Sequence, residues 1–317
     1  MPHSGHGAKP VGTASRARHD PSRSPLLSEP LREPRLKTPP RLLPLVEDGL
    51  VDEVVRQLKS GKEAMVFVVL CGGEARCAKV YKEADKRGFR QSVSYTEGRK
   101  VKNSRQARAM EKGSRYGRKE QEAAWQHAEV DALYRLAGAG VRVPKPYNFH
   151  EGVLLMELVT DAEGNAAPRL EDLALTPEQA LAYHGALIRQ VVLMLCAGVV
   201  HGDLSAYNIL VDADGPVIID LPQAIDAAGN NHAKSMLVRD VNNLAAFFGQ
   251  FVPEILATDY GHEIWALYAA GALRPDSELT GTFVHDEAPA DVDALMRDID
   301  AVVEEEAERR RRLADLG

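Results

Sequence analysis

His201-Gly202-Asp203-Leu204-Ser205-Ala206-Tyr207-Asn208 is followed, twelve residues after Asn208, by Asp220 at the end of the apolar run Val217-Ile218-Ile219. Ile209 to Val211 reads as a short strand, Asp212-Ala213-Asp214-Gly215 as its turn and Val217 to Ile219 as the returning strand. Such a hairpin carries Asp220 back beside the loop that bears Asp203 and Asn208. Phosphoryl transfer needs one carboxylate near the attacking oxygen, and an amide oxygen with a second carboxylate to hold a divalent cation against the phosphates. Asp203 is the candidate for the first role, and Asn208 and Asp220 for the second. A lone His-Gly-Asp is more often a turn; the hairpin and Asp220 set this one apart.

The N-terminal half offers an independent check, because a kinase-like site also needs a loop over the phosphates, a lysine on a following strand and a helical glutamate to hold it. Candidates occur in that order: Ser60-Gly61-Lys62-Glu63-Ala64, then Lys79 within Ala78-Lys79-Val80, then Glu129. The β-branched or apolar runs Met65 to Leu70 and Ala75 to Tyr81 flank Cys71-Gly72-Gly73-Glu74 and read as a hairpin with Lys79 on its second strand. Singly each signal is weak, since Ser-Gly-Lys is a common turn and a strand lysine more often faces solvent. Glu129 competes with Glu120 and Glu122, which lie less deeply in the expected helix.

Further out, Val46, Leu50, Val54 and Leu58 recur every four residues and predict a short helix. Residues 83–118 are dense in Arg, Lys, Ser and Gly and read as a mobile insertion or a weakly held helix. Val130, Leu133 and Leu136 share a face of a helix over Ala123 to Ala137, stopped by Gly138 to Gly140, and a strand is expected over Val153 to Val159. Thr176-Pro177-Glu178-Gln179 places a cap before a proline at the first helical position and opens a helix to about Ala197. The apolar run Val191 to Val200 reads as a buried helix end, and everything after Ile219 as helical.

The implied fold class is α+β, a two-lobed protein-kinase-like fold. A small N-terminal lobe of antiparallel sheet with one main helix precedes a mostly helical C-terminal lobe. The expected domains are a disordered tail over 1–44, an N-terminal lobe over 45–158 with the flexible insertion, a C-terminal lobe over 159–288 and a charged helix over 289–317. In that last segment Glu304-Glu305-Glu306 precedes Arg309 to Arg312, an order that suits the helix macrodipole. A formal charge of -7 argues against binding nucleic acid through overall basicity, and the sequence carries no clear nucleic-acid module. The longest apolar run is about half the ~20 residues of a membrane-spanning helix. No secretory signal is legible at the N-terminus, and Cys71, Cys77 and Cys196 show no paired short spacing, which suits a reducing cytoplasm.

Over about residues 46 to 260 the sequence resembles the RIO family of atypical protein kinases, particularly its type 1 branch. The motifs that carry the resemblance are Ser60-Gly61-Lys62-Glu63-Ala64, the loop His201 to Asn208, and Ile219-Asp220-Leu221-Pro222-Gln223. Trp125 with Glu129, and Ala167-Pro168 after the hinge Met156-Glu157-Leu158, add to it. Two positions depart from it, Lys59 where the type 1 loop usually has serine and His127 where a charged neighbour of the helical glutamate is usual. The resemblance implies a kinase fold without the usual activation segment and peptide-binding helices, and Asp220 is accordingly not followed by Phe-Gly. It also accounts for the insertion, whose serines are candidates for autophosphorylation.

The same resemblance implies ATP and Mg2+, or Mn2+ in its place, as cofactors. Ser60, Gly61 and Lys62 would close over the triphosphate, and Lys79, oriented by Glu129, would contact its phosphates. Met156, Glu157, Leu158 and Pro168 would line the nucleotide, while Asn208 and Asp220 would hold the metal. Asp203 would orient or deprotonate the incoming hydroxyl, and in this family the metal-loop aspartate, here Asp220, can itself accept phosphate. A serine protein kinase or ATPase acting on a protein substrate, ribosome-associated by family resemblance, is the leading reading. Aminoglycoside and choline kinases have a similar His-Gly-Asp loop but usually lack the Ser-Gly-Lys-Glu-Ala and Asp-x-Pro-Gln segments. A weakly catalytic scaffold that uses nucleotide as a switch is a third reading.

Overall fold

Gly72 and Gly73 both take positive φ, 60° and 80°, the backbone a tight two-residue hairpin turn requires. They join β2 (Ala64–Cys71) to β3 (Glu74–Tyr81), which pair without interruption from Ala64 opposite Tyr81 to Cys71 opposite Glu74. The computed structural model to which these strands belong describes residues 38–61, 63–82 and 115–285, with side chains from residue 126 onward in the last stretch. Around the hairpin, β1 (Glu53–Ser60) pairs with β2, and β5 (Val153–Glu157) then β4 (Pro146–His150) follow β3, completing an antiparallel sheet in the order β1-β2-β3-β5-β4.

Successive residues of a strand point to opposite faces. Ala78 and Val80 therefore pack with Phe67, Val69, Val153 and Leu155 against Leu42, Leu45 and Val51. Lys79 and Tyr81 face the other way, toward α2 (Arg115–Gly138), whose Val130, Leu133 and Leu136 join Tyr81 and Leu154 in the larger core.

Several expectations are corrected here. The fourfold spacing from Val46 does not make a helix through Leu58: α1 (Leu43–Glu47) stops early and Glu53–Ser60 is a strand. Four is also a multiple of the strand repeat, so the spacing fits either element, and in the strand register shifts between Val54 and Arg56 and between Gln57 and Lys59 break the alternation. Gly49, at φ 71°, ends the helix, and the β-branched pair Val54-Val55 favours extended backbone. Residues 40–44, assigned to the tail by their prolines, form a 3-10 turn (Pro40–Leu42) and the start of α1, and bury Leu42 completely. Strand β4 was not expected, because Pro146 at its start and Pro144 just before it mask it. Pro146 is tolerated as the first residue of an edge strand, where its missing N–H interrupts no ladder. The following strand ends at Glu157 rather than Val159. Residues 115–118, placed in the insertion, are helical; residues 83–114, residues 1–37 of the tail and the charged segment 289–317 lie outside the described residues.

The C-terminal lobe is built on α3 (Pro177–Cys196), α4 (Ala233–Phe248) and α5 (Tyr260–Ala269), giving the two-lobed α+β architecture. Thr176 caps α3 by a reciprocal pair of bonds: its hydroxyl accepts from the Gln179 amide at 3.2 Å, and the Gln179 side chain accepts from the Thr176 amide at 3.0 Å. Thr176→Ala is expected to cost about 1 kcal/mol. Calorimetry should read this as a fall in Tm of about 2–4 °C.

The run Val191 to Val200 divides: α3 ends at Cys196, and β6 (Val199–Val200) pairs with β9 (Ile225–Asp226), so the chain after Ile219 is not wholly helical. Strands β7 (Ile209–Asp212) and β8 (Gly215–Ile218) form the expected hairpin. Among the described residues no helix is long and apolar enough to cross a membrane.

Candidate active site

Lys79 reaches the cleft because β3 turns alternate residues toward α2, and α2 answers with Glu129, one turn before Leu133 on its buried face. Lys79 Nζ donates to Glu129 Oε1 at 2.5 Å and to Asp220 Oδ1 at 2.8 Å. The second Glu129 oxygen accepts from the Tyr81 hydroxyl at 2.8 Å, so a carboxylate only 5 % exposed has both oxygens occupied. Burial opposes the charge on Lys79, but Glu129 and Asp220 together hold its ammonium well above the ordinary value. Burial likewise works against ionisation of Asp220, yet Lys79 keeps its carboxyl below the usual range. Burial, and then Glu129, push the Tyr81 phenol well above its usual value, so it stays a donor.

The loop 201–208 is held through its backbone by α4. Asp240 is 2 % exposed and accepts from the amides of Gly202 at 2.8 Å and Leu204 at 3.1 Å. Asn243 Nδ2 donates to the Leu204 carbonyl at 3.0 Å, and the Arg239 guanidinium donates to the Gly202 carbonyl. Asp203, between the two anchored amides, is therefore aimed by a helix rather than by its own loop. His201 Nε2 donates to the Ile219 carbonyl at 3.2 Å, and Nδ1 accepts from the Asp203 amide at 3.3 Å. Both bonds require a neutral ring, and burial lowers the His201 pKa, partly offset by the bond to Ile219.

The hairpin closes the arrangement. Asn208 Nδ2 donates to the Asp203 carbonyl at 2.9 Å and lies 3.5 Å from Asp203 Oδ2, while the Asn208 carbonyl accepts from the Ile219 amide at 2.9 Å. Asp220 then turns out of β8 at φ 67°, a left-handed conformation uncommon for a residue other than glycine, with 47 % of its side chain open to the cleft. Lys79, Glu129, Asp203, Asn208 and Asp220 thus come together from β3, α2, the loop before β7 and the end of β8.

The other expected residues lie outside that bonded cluster. Ser60 ends β1, and the Gly61 amide closes the turn onto the Ala64 carbonyl at 2.9 Å. Lys82 Nζ pins this turn, donating to the Gly61 carbonyl at 2.5 Å. Lys62, and the side chains of Trp125, Glu120 and Glu122, lie outside the described residues. Met156 and Glu157 are the last residues of β5, and Leu158 follows them. The Glu157 carboxylate is turned to the Lys145 amide at 3.0 Å and toward Arg142 at 3.8 Å. The Pro168 carbonyl accepts from the Val211 amide at 2.9 Å, setting that segment beside β7. Lys59, on β1, lies near enough to Asp220 and Arg169 for their charges to act on it.

Residues 65–260 match the family model of the RIO domain. The chain belongs to the RIO family. Its relatives are Rio1-type. It is 37 % identical over 206 residues to the RIO-type serine/threonine-protein kinase Rio1 of Haloferax volcanii, covering 64 % of this chain and 66 % of that one. It is 32 % identical over 210 residues to the Methanocaldococcus jannaschii Rio1 kinase, covering 65 % and 67 %. It is 30 % identical over 229 residues to the Schizosaccharomyces pombe serine/threonine-protein kinase rio1, covering 70 % and 43 %. The chain therefore spans about two thirds of the archaeal relatives and less than half of the yeast one. A solved kinase domain aligns over 65 % of each chain with TM-score 0.43 and 13 % identity, too remote to bear on the site.

Within this RIO domain the sequence reading missed Tyr81, Lys82, Asp240 and Asn243. Asp240 left a readable trace: it falls among Met236, Leu237, Val241 and Leu244 on the apolar face of a helix, where a carboxylate needs a buried partner. Tyr81 left one too, two residues after Lys79 on the same strand face.

Proposed function

We propose that this cleft binds Mg-ATP and that the chain is a RIO-type phosphotransferase, passing the γ-phosphate to a protein serine, its own included, or to Asp220 in an ATPase cycle. The observation that carries the reading is Lys79 shared between Glu129 and Asp220, with Asp220 tied through Ile219 and Asn208 to Asp203. The family membership supports phosphoryl transfer, and the relatives named as serine/threonine-protein kinases support serine as acceptor.

The donors suit magnesium. Asn208 spends its NH2 group on Asp203, which leaves its amide oxygen to present, and the Asp220 carboxylate is half open beside it. Both are hard oxygen ligands of the kind Mg2+ takes alongside phosphate. Bound there, magnesium would neutralise phosphate charge as it redistributes in the transition state. Lys79, already fixed by Glu129, would take the phosphates without reorganising. Asp203, oriented by its anchored neighbours and 3.5 Å from Gln223 Nε2, would position or deprotonate the incoming hydroxyl. The amides around Ser60, Gly61 and Lys62 would close over the triphosphate. Met156, Glu157, Leu158 and Pro168 would line the nucleotide where lobes 45–158 and 159–288 meet.

Incubation with γ-labelled ATP tests this. Label transfer or phosphate release should require Mg2+ and be indifferent to added aminoglycoside or choline. Acid-stable label marks phosphoserine, and label lost to hydroxylamine marks Asp220. Turnover stimulated by a small acceptor, or no magnesium-dependent nucleotide binding by calorimetry, overturns the assignment.

A further inference from the structure

Beyond the kinase cleft, the described residues hold a set of side chains that the phosphotransferase reading does not use. Asp259, His262 and His285 each offer a ligand atom, and these atoms all lie within 4.8 Å of one another. Asp259 precedes α5, His262 sits in its first turn and His285 comes from the segment returning after the helix. Asp259 Oδ1 is 2.8 Å from His262 Nδ1, and Oδ2 is 2.8 Å from His285 Nε2. We propose that Asp259, His262 and His285 form a binding site for a Zn2+-class divalent cation. The RIO-domain match ends at residue 260, so both histidines lie outside it.

The chemistry of the set selects the metal. Two imidazoles and one carboxylate suit zinc and its first-row neighbours, whereas magnesium takes oxygen ligands and keeps its water. Zn–N and Zn–O bonds of about 2.0–2.2 Å in a tetrahedron separate ligand atoms by roughly 3.3–3.5 Å. With one Asp259 oxygen as ligand, its 2.8 Å contact would open by about half an ångström, and the wider separations, up to 4.8 Å, would close by as much as about 1.3 Å. Each imidazole nitrogen facing Asp259 would exchange its N–H for a metal bond, the ring proton moving to the other nitrogen, which both rings have available. Three protein ligands leave the fourth position to water.

The returning segment is also fixed without any ion. Glu263 accepts from the Thr280 amide at 2.7 Å, the Thr280 hydroxyl at 2.9 Å and the Gly281 amide at 2.8 Å, and the Asp259 amide donates to the Gly281 carbonyl at 2.8 Å. Phe283 stacks on the His262 ring with 5.5 Å between centroids and 24° between planes. His285 is thereby delivered to Asp259 by contacts outside the ligand set, so most of the ordering entropy is met before a cation arrives. An ordinary capping role explains Asp259 Oδ1, which accepts from the His262 amide at 3.4 Å, but does not explain the second carboxylate oxygen or His285.

The test uses the full chain, stripped of metal and titrated with ZnCl2, and in parallel with Co2+ for its ligand-field absorption. The chain has ten histidines, and zinc bound equally well by the folded and unfolded chain would not stabilise the fold, so the deciding readout is Tm. At a hundredfold excess over Kd, zinc should raise the wild-type Tm by roughly 5–10 °C. His262→Gln and His285→Gln should each weaken this binding more than about tenfold and remove the tetrahedral Co2+ spectrum. His285 is 59 % exposed, so its variant is expected to fold as wild type does, and its metal-free Tm checks this. A zinc-dependent rise equal in wild type and both variants, or absent from wild type, overturns the proposal. Mg-ATP turnover in His285→Gln should be unchanged, which keeps this test separate from that of the cleft.

Discussion

Lys79→Met is expected to lower phosphoryl transfer by about 10²–10³-fold, the usual loss when one preorganised charge stabiliser is removed, and to destabilise the fold as well. The second effect follows from burial. Glu129 is 5 % exposed and Lys79 12 %, so the substitution leaves a carboxylate inside the protein with only the Tyr81 hydroxyl as partner among the described residues. Breaking a buried pair from one side costs about 3–5 kcal/mol. Asp220 adds little to that cost, because its side chain is half exposed and water can replace the lysine.

The double variant Lys79→Met/Glu129→Gln separates the two effects. It removes the stranded charge, so urea denaturation should show most of the lost stability restored, while turnover of labelled ATP stays as low as in the single variant. A double variant as unstable as Lys79→Met alone would mean that the cost came from lost packing of the lysine stem, not from the carboxylate.

The elements that carry the site were legible because their signals are local. Gly72-Gly73 sets a turn by backbone freedom alone, Thr176-Pro177 with Gln179 sets a helix start by one reciprocal bond, and Asp212 to Gly215 sets the hairpin that returns Asp220. Order along the chain then brought Lys79, Glu129, Asp203, Asn208 and Asp220 forward as candidates, and the fold places them together. What was not legible depends on partners distant in sequence. A spacing of four cannot separate helix from strand at Val54 and Leu58 until the sheet forms beside them. Pro146 conceals an edge strand because only the sheet order shows which of its sides needs no donor. The burial of Asp240 could be read from its apolar neighbours, but its partner, a loop thirty-eight residues away in the chain, could not.

Asp240→Ala should be the most damaging single change in the C-terminal lobe. It removes the only carboxylate bonded to the Gly202 and Leu204 amides among the described residues and leaves both donors buried. At about 1–3 kcal/mol for each unsatisfied group, the loss is about 2–6 kcal/mol. Because Asp203 lies between those amides, turnover should fall in the folded fraction too. Asp240→Asn keeps one acceptor oxygen and should be milder, which makes it the better probe of charge.

Burial pushes the Asp240 carboxyl up to about 7, against the pull of the two amides and Arg239. An unfolded aspartate titrates near 3.9, so between about pH 4 and 7 the folded chain holds a proton that the unfolded chain has released. The stability from this group is full below about pH 4 and lost as pH rises through about 7. His184 works in the opposite sense. Packed against Phe248 and Tyr260 and lowered to about 4 by burial, it contributes stability that is full above about pH 6.5 and lost as pH falls toward 4. His201, also lowered by burial, acts in the same direction as His184. In wild type the aspartate offsets part of the histidine dependence. Asp240→Asn lacks that offset, so its stability should climb with pH more steeply than wild type, by about 1.4 kcal/mol per pH unit between 4.5 and 6.5. Denaturant midpoints measured across that interval decide it. Parallel profiles for the two proteins would mean that Asp240 stays ionised in the fold, held by its two amides and Arg239 against the cost of burial.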